Sequence, residues 1–217
     1  LSKKNISTSD AFFWRTDNGY FTIFKFSDLL YLYLNENFTE VEILFYDKFN
    51  NLIKKKDIQK IDLSNKFIID KKFLDGVEDY GVFYIFHKTK KEINSVIRNS
   101  CYTGYSFNKC LPSFVHGNLI TSTKSFDGKF QDFGIIGSSF FKENIYKVQN
   151  FYNFDKTELA IMNPTKSDLE ININDKKIML KSCCSKILDL GRDETISIKS
   201  KCYLLRPIIF NYNDNYL

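Results

Sequence analysis

The stretch VEILFY, residues 41–46, has the apolar and solvent-tolerant positions expected of a half-buried β-strand. The same two-residue period recurs in LEINI at residues 169–173, in TISIK at residues 195–199 and in GVFYIF at residues 81–86. Turn-forming pairs separate these stretches, among them Asn163-Pro164, Asn174-Asp175 and Asp75-Gly76. The pattern predicts an all-β protein.

The amino-acid composition also favours strands over helices. The 217 residues include 22 Phe and 13 Tyr, whereas Ala occurs only at positions 11 and 160. Aromatic side chains suit strands and Ala suits helices, so this imbalance argues against a helical protein. Apolar residues make up 43% of the chain and charged residues 26%, which excludes the disordered and fibrous classes.

The net charge of +5 does not predict a nucleic-acid partner. Only four of the 31 basic residues are Arg, the side chain that binds phosphates and guanine edges with two parallel hydrogen bonds. The Lys residues are scattered along the chain. No apolar run approaches the roughly 18 residues of a membrane span, so no span is predicted either.

The cysteine count predicts reduced thiols rather than disulfides or a metal site. The five Cys are odd in number, form no CxxC pair and have no pair of His at zinc spacing. No metal and no cofactor is therefore expected, and a reducing compartment such as the cytoplasm is favoured. The sequence begins with Leu1 rather than Met, so it leaves the native termini and any removed signal peptide open.

The two halves of the chain resemble each other. Residues 26–35 align with residues 154–163 at an offset of 128, and the match continues into the following strand. Several short strands per half, separated by turns, predict two tandem immunoglobulin-like β-sandwich modules related by an internal repeat. The expected boundaries are residues 1–93 and 143–217, with a long irregular insertion at residues 94–142 packed on the first module.

The C-terminal half has a recognisable order of strands. LAIMNP at residues 159–164 is followed by an alternating strand, by ILDL at residues 187–190 and by ISIKS at residues 196–200. This order resembles the bacterial immunoglobulin-like sandwich of the sensory-rhodopsin-transducer type, over about 50 residues. The resemblance implies a protein that acts by binding rather than by chemistry, and no functional residue carries over from it.

The insertion contains the candidate ligand-binding residues. It loses the clean alternation and places glycines beside aromatic and hydrogen-bonding side chains, as binding loops on rigid β frameworks do. Tyr rings can stack on a sugar, while Arg and His can orient a ligand. The residues predicted to bind are Arg98, Tyr102, Tyr105, His116 and Asn118.

The sequence therefore predicts a non-enzymatic binding protein for a carbohydrate-like ligand or a protein partner. One alternative is a small enzyme that acts on a polar or glycan substrate through His116 and Arg98, although no catalytic residue is assigned. The nucleophiles nearby, Cys101, Cys110 and Ser113, lie in no recognised signature. Another alternative is a structural assembly subunit, and a homo-oligomer is compatible with aromatic-rich strand edges. A third is that the aromatic residues of the insertion only close the base of a sandwich.

Overall fold

The computed structural model describes residues 6–37, 39–89, 101–125, 131–135, 142–149, 154–163, 165–191, 195–202 and 206–213. Within residues 118–121 and 131–135 the description is limited to the backbone. The described residues form seventeen strands and one helix, α1. The predicted all-β class is confirmed.

The elements follow one another along the chain in this order: β1 Ile6–Arg15, β2 Tyr20–Ser27, α1 Leu29–Leu34, β3 Glu40–Asp47, β4 Leu52–Ile58, β5 Ser64–Ile69, β6 Tyr80–Lys88, β7 Tyr102–Phe107, β8 Ser113–His116, β9 Asn118–Ser125, β10 Gln131–Ile135, β11 Asn144–Gln149, β12 Lys156–Met162, β13 Leu169–Ile173, β14 Lys176–Leu180, β15 Ser185–Gly191, β16 Thr195–Ser200 and β17 Ile208–Tyr212.

The strands assemble into four antiparallel sheets. Sheet I has the strand order β10-β9-β1-β6-β3-β4, and sheet II has the order β5-β2-β7-β8. Sheet III has the order β15-β12-β17, and sheet IV has the order β11-β16-β13-β14. The strands predicted from the two-residue period at residues 41–46, 81–86, 169–173 and 195–199 lie in β3, β6, β13 and β16, which confirms them.

Two hydrophobic cores lie between pairs of sheets. Sheets I and II enclose a Phe-rich core, in which the rings of Phe24 and Phe83 meet edge to face at 4.8 Å. Sheets III and IV enclose an aliphatic core that contains Ile161 and Ile171. Cys202 is fully buried in the second core.

A third core joins the two pairs of sheets, because β1 buries both of its faces. Phe12 faces sheet II, while its neighbour Phe13 packs near Phe210 of sheet III. Tyr105 of sheet II also packs edge to face on Phe210, at 5.0 Å. The four sheets are thus arranged in a ring, like the blades of a small propeller.

Helix α1 corrects the expectation of strands alone and weakens the internal repeat. The apolar run at residues 29–34 has the length of a strand, but it forms a helix. The Asp28 side chain accepts a hydrogen bond from the backbone N–H of Tyr31, which caps the first turn, and Asn35 ends the helix at φ 50°. The segment aligned with it at residues 154–163 contains strand β12, so the two do not share a structure.

The region between the predicted modules is not irregular. Its described residues form β7, β8, β9 and β10, which extend sheets I and II. β9 and β10 are antiparallel partners, with Gln131 opposite Lys124. The Asp127-Gly128 pair, which the sequence predicts as a hairpin turn, lies outside the described residues. The alternation was missed because Gly104 and a short β8 interrupt the pattern of β7 and β8. The short stretch at residues 142–146 contributes to β11.

All five cysteines are free thiols. Cys101 and Cys202 are buried, and the other three are partly buried. Burial raises the pKa of the Cys202 thiol to about 12. Across the described ranges, no helix is both long and apolar enough to cross a membrane.

Candidate functional site

The structure brings two of the five predicted binding residues together and places a third in the core. Tyr102 and His116 lie opposite each other on β7 and β8, with ring centroids 4.5 Å apart and both side chains exposed. Tyr105 is buried, and its hydroxyl donates a hydrogen bond to the backbone oxygen of Phe13 at 3.0 Å. Asn118 begins β9, where only its backbone is described, opposite Ala11. Arg98 lies outside the described residues.

Tyr105 is therefore a core residue and not an exposed ring, although it contributes to the lining of the cavity described below. The neighbouring residue Gly104 also has a role in packing. A Cβ atom on Gly104 would lie 2.6 Å from the ring of Phe114, so the glycine makes room for that ring on the neighbouring strand. On β7 and β8, Tyr105 thus belongs to the core, whereas Tyr102, Phe114 and His116 are exposed.

A cavity of about 700 Å³ lies where sheets II, III and IV approach one another. Its size is within the range of pockets that hold small organic ligands. Sheet II contributes Thr103, Tyr105, Val115 and His116; sheet IV contributes Ile145, Tyr146, Lys147 and Val148; the remaining lining residues are Phe13, Met162, Arg206, Pro207, Ile208 and Ile209.

The sheet topology explains why the cavity forms at this place. Among the described strands, β8 is an edge of sheet II, β11 an edge of sheet IV and β17 an edge of sheet III. All three edge strands contribute side chains to the lining. An edge strand has one side without a neighbouring strand. Where three edge strands approach one another, no further strand fills the space between them, and their side chains line a cavity.

The cavity contains one buried polar atom that the protein does not satisfy. Thr103 is only 1% exposed, and its hydroxyl Oγ1 has no hydrogen-bond partner in the described part of the chain. Val115 is its neighbour across the strands, so both side chains project from the same face of sheet II. An unsatisfied buried hydroxyl costs about 1–3 kcal/mol, and a polar ligand atom placed against it removes that cost.

The charged residues that line the cavity are all cationic. Lys147 is exposed on β11, and it has no ion-pair partner among the described residues. The Arg206 guanidinium donates through Nη1 to the backbone oxygen of Gly117 at 3.4 Å. None of the described lining residues is Asp or Glu.

A second cluster of polar residues, buried around Arg15, joins the N-terminal and C-terminal sheets. Arg15 is fully buried; it binds both carboxylate oxygens of Asp17, at 2.9 and 2.8 Å, and Glu158 of β12 at 2.9 Å. Burial disfavours the charged form of Glu158, but bonds from Lys156 and Tyr212 and the charge of Arg15 outweigh it and lower its pKa. The bond between Arg15 and Glu158 connects β1 of sheet I to β12 of sheet III.

A third cluster surrounds Glu42 on sheet I. The Glu42 carboxylate is buried and binds the ammonium groups of Lys55 at 2.7 Å and Lys88 at 3.1 Å, as well as that of Lys124. Burial alone raises the pKa of Glu42, but hydrogen bonds from Lys124, Lys55 and Lys88 outweigh it and lower the pKa to about 2. No group of three potential metal ligands occurs in the part of the chain that is described.

Sequence reasoning found Tyr105 and His116 of the cavity and missed most of the rest. Thr103, Lys147, Met162 and Arg206 come from strands far apart in the sequence, and no local pattern connects them. The one available signal was Arg206, because Arg is so scarce in this chain.

Comparison with protein-family models finds no match, and comparisons with curated proteins and with solved structures also find none. The chemistry of the cavity is therefore the basis on which a function can be assigned.

Proposed function

We propose that the chain is a binding protein that holds a small, largely apolar molecule in the cavity between sheets II, III and IV. The observation that carries the proposal is a cavity of about 700 Å³ with mostly apolar walls and a buried hydroxyl, Thr103 Oγ1, that has no partner among the described residues. Ligand pockets have this composition, with apolar walls for affinity and a few polar groups for orientation.

The proposal keeps the predicted class, a binding protein, and changes the expected ligand. Tyr102, the exposed ring expected to stack on a sugar, does not line the cavity. A sugar would place many hydroxyl groups against Ile145, Met162 and Ile208, where they find no partners. The mixture of apolar walls and few polar groups favours a ligand with a substantial hydrocarbon part.

We also propose that sheets I and II form one β-sandwich and sheets III and IV another. The separate cores between these sheets support the proposal. The first strand of sheet IV begins at Asn144, in agreement with a second module from residue 143. The immunoglobulin-like strand order and the resemblance to the sensory-rhodopsin-transducer type remain proposals at the level of the fold.

The two methionines of the chain provide a direct test of the cavity. Met162 lines it, whereas Met179 lies on β14 and is 57% exposed. In protein labelled with ¹³C at the methionine methyl groups, titration with 1-decanol is expected to shift the Met162 resonance in a saturable manner. The Met179 resonance stays in place and serves as a control within the same molecule; Met179→Leu assigns the two signals.

A second control separates binding in the cavity from binding at exposed apolar side chains. Ile145→Trp narrows the cavity from an exposed position, and Ile68→Trp makes the same change at a comparably exposed position on β5, outside the lining. We expect the first variant to weaken decanol binding and the second to leave it unchanged. An unmoved Met162 signal, or equal shifts at both methionines, would refute the proposal.

A further inference from the structure

We infer that the ligand of this cavity is an anionic amphiphile, a hydrocarbon body that carries a carboxylate or a similar acidic head. The inference rests on the proposed function and specifies its ligand class. It follows from the combination of cationic and apolar side chains around one cavity, together with a buried hydroxyl that can donate a hydrogen bond.

The charges on the cavity lining favour an anion. Lys147 and Arg206 supply two permanent positive charges, and none of the described lining residues supplies a negative one. Lys147 is not neutralised by a carboxylate of the described chain, so a ligand anion near it gains an ion pair without displacing one. Charge complementarity of this kind selects between ligands that have the same apolar body.

The position of Arg206 suits it to bind a ligand head. Its guanidinium donates a hydrogen bond to the backbone oxygen of Gly117, the residue that follows His116 at the end of β8. The guanidinium is therefore located where the end of β8 meets the start of β17. Arg binds carboxylates with two parallel hydrogen bonds, which makes it the more specific of the two cations.

The apolar residues define the other end of the ligand. Val115, Ile145, Val148, Met162, Ile208 and Ile209 line the same cavity. A small, fully hydrated anion would leave these walls without a partner, whereas a hydrocarbon chain is driven onto them by the hydrophobic effect. Thr103 offers its hydroxyl to an oxygen of the head group, and a hydroxyl donates more strongly to a carboxylate than to a neutral oxygen.

Three probes with the same ten-carbon chain test the inference: decanoate, 1-decanol and decylammonium. Their dissociation constants are measured from the Met162 methyl shift in the wild-type protein. Two partly solvated ion pairs, each contributing roughly a threefold to fivefold gain, predict that decanoate binds about tenfold or more tightly than decanol. Decylammonium is expected to bind more weakly than decanol, because it meets two like charges.

Variants of the two cations locate the effect. Lys147→Gln and Arg206→Gln are each expected to weaken decanoate binding roughly threefold to fivefold and to leave decanol binding unchanged. Lys186→Gln is the matched control, because it removes one positive charge from an exposed strand position outside the lining. It is expected to leave the binding of all three probes as in the wild type.

The outcomes separate this inference from the proposed function. Equal affinities for decanoate and decanol would overturn the anionic ligand while leaving a binding cavity in place. An equal loss of decanoate affinity in Lys186→Gln and Lys147→Gln would also overturn it, since the effect would then come from overall charge. If none of the three probes moves Met162, the proposed function itself fails.

Discussion

We expect two threonines of sheet II to respond in opposite directions to replacement by Val. Thr103 on β7 has a buried hydroxyl without a hydrogen-bond partner in the described part of the chain. Thr22 on the adjacent β2 is also fully buried, but its hydroxyl donates to the backbone oxygen of Arg15 and accepts from the backbone N–H of the same residue, each at 3.0 Å. Replacing either residue by Val exchanges a hydroxyl for a methyl group with little change of shape.

The expected magnitudes follow from these hydrogen bonds. In Thr103→Val a hydroxyl that lost its water on folding and gained nothing is removed, and we expect the free energy of unfolding to rise by about 1 kcal/mol. In Thr22→Val two hydrogen bonds are lost and two buried backbone groups are left unsatisfied, so we expect a decrease of about 2 kcal/mol. The melting temperatures should move by roughly 2–4 °C for each kcal/mol.

Urea unfolding measures both changes, with the fluorescence of Trp14 as the signal. Trp14 is the only tryptophan and is fully buried in the core between sheets I and II, so its emission reports the loss of that core. A loss of stability in Thr103→Val comparable to that in Thr22→Val would mean that the Thr103 hydroxyl is satisfied in the free protein. The main argument for a polar ligand atom at that place would then be lost.

Three further predictions concern stability. Burial lowers the pKa of His87 from 6.5 to about 4. As the pH falls, the unfolded chain therefore binds a proton at this residue before the folded chain does. The free energy of unfolding should decrease by roughly 3 kcal/mol as the pH falls from 6.5 to 4. His87→Gln should remove this slope in urea unfolding, and His116→Gln, at an exposed position, should not. The pKa of Glu42 is lowered from 4.5 to about 2, so its ionised carboxylate contributes fully to the free energy of unfolding above pH 4.5 and loses that contribution towards pH 2. In Glu42→Gln the free energy of unfolding should depend less steeply on pH in that range. Thermal melting should show a loss of about 3–5 kcal/mol for Tyr105→Ala and of at most about 0.5 kcal/mol for His116→Ala, and equal losses would contradict the burial of Tyr105.

The strands were predictable because their signal is local. β3, β6, β13 and β16 each bury alternate or consecutive side chains, and the two-residue period is visible within five or six residues. Helix α1 was not predicted because LLYLYL has no helical period; its capping residue, Asp28, decides the structure through a hydrogen bond to Tyr31. At residues 29–34 the hydrophobic pattern favours a strand and the capping residue favours a helix, and the segment forms a helix.

The cavity could be predicted only in part. Tyr105 and His116 were selected because aromatic and hydrogen-bonding residues cluster around glycines, and both do line the cavity. Their partners Lys147 and Arg206 are brought to them by the meeting of edge strands from three sheets. That meeting depends on how the sheets pack, and packing between sheets leaves no periodic signal in the sequence.

The position of β1 in the middle of sheet I sets the order of events during synthesis. β1 pairs with β6 on one side and with β9 on the other, so its second partner is complete only at Ser125, about 110 residues after β1 ends. At 5–20 residues per second a ribosome needs roughly 6–20 s to make that length. For that time the nascent chain carries a strand with two apolar faces and an unpaired edge, and sheet I cannot close before translation has passed the middle of the chain.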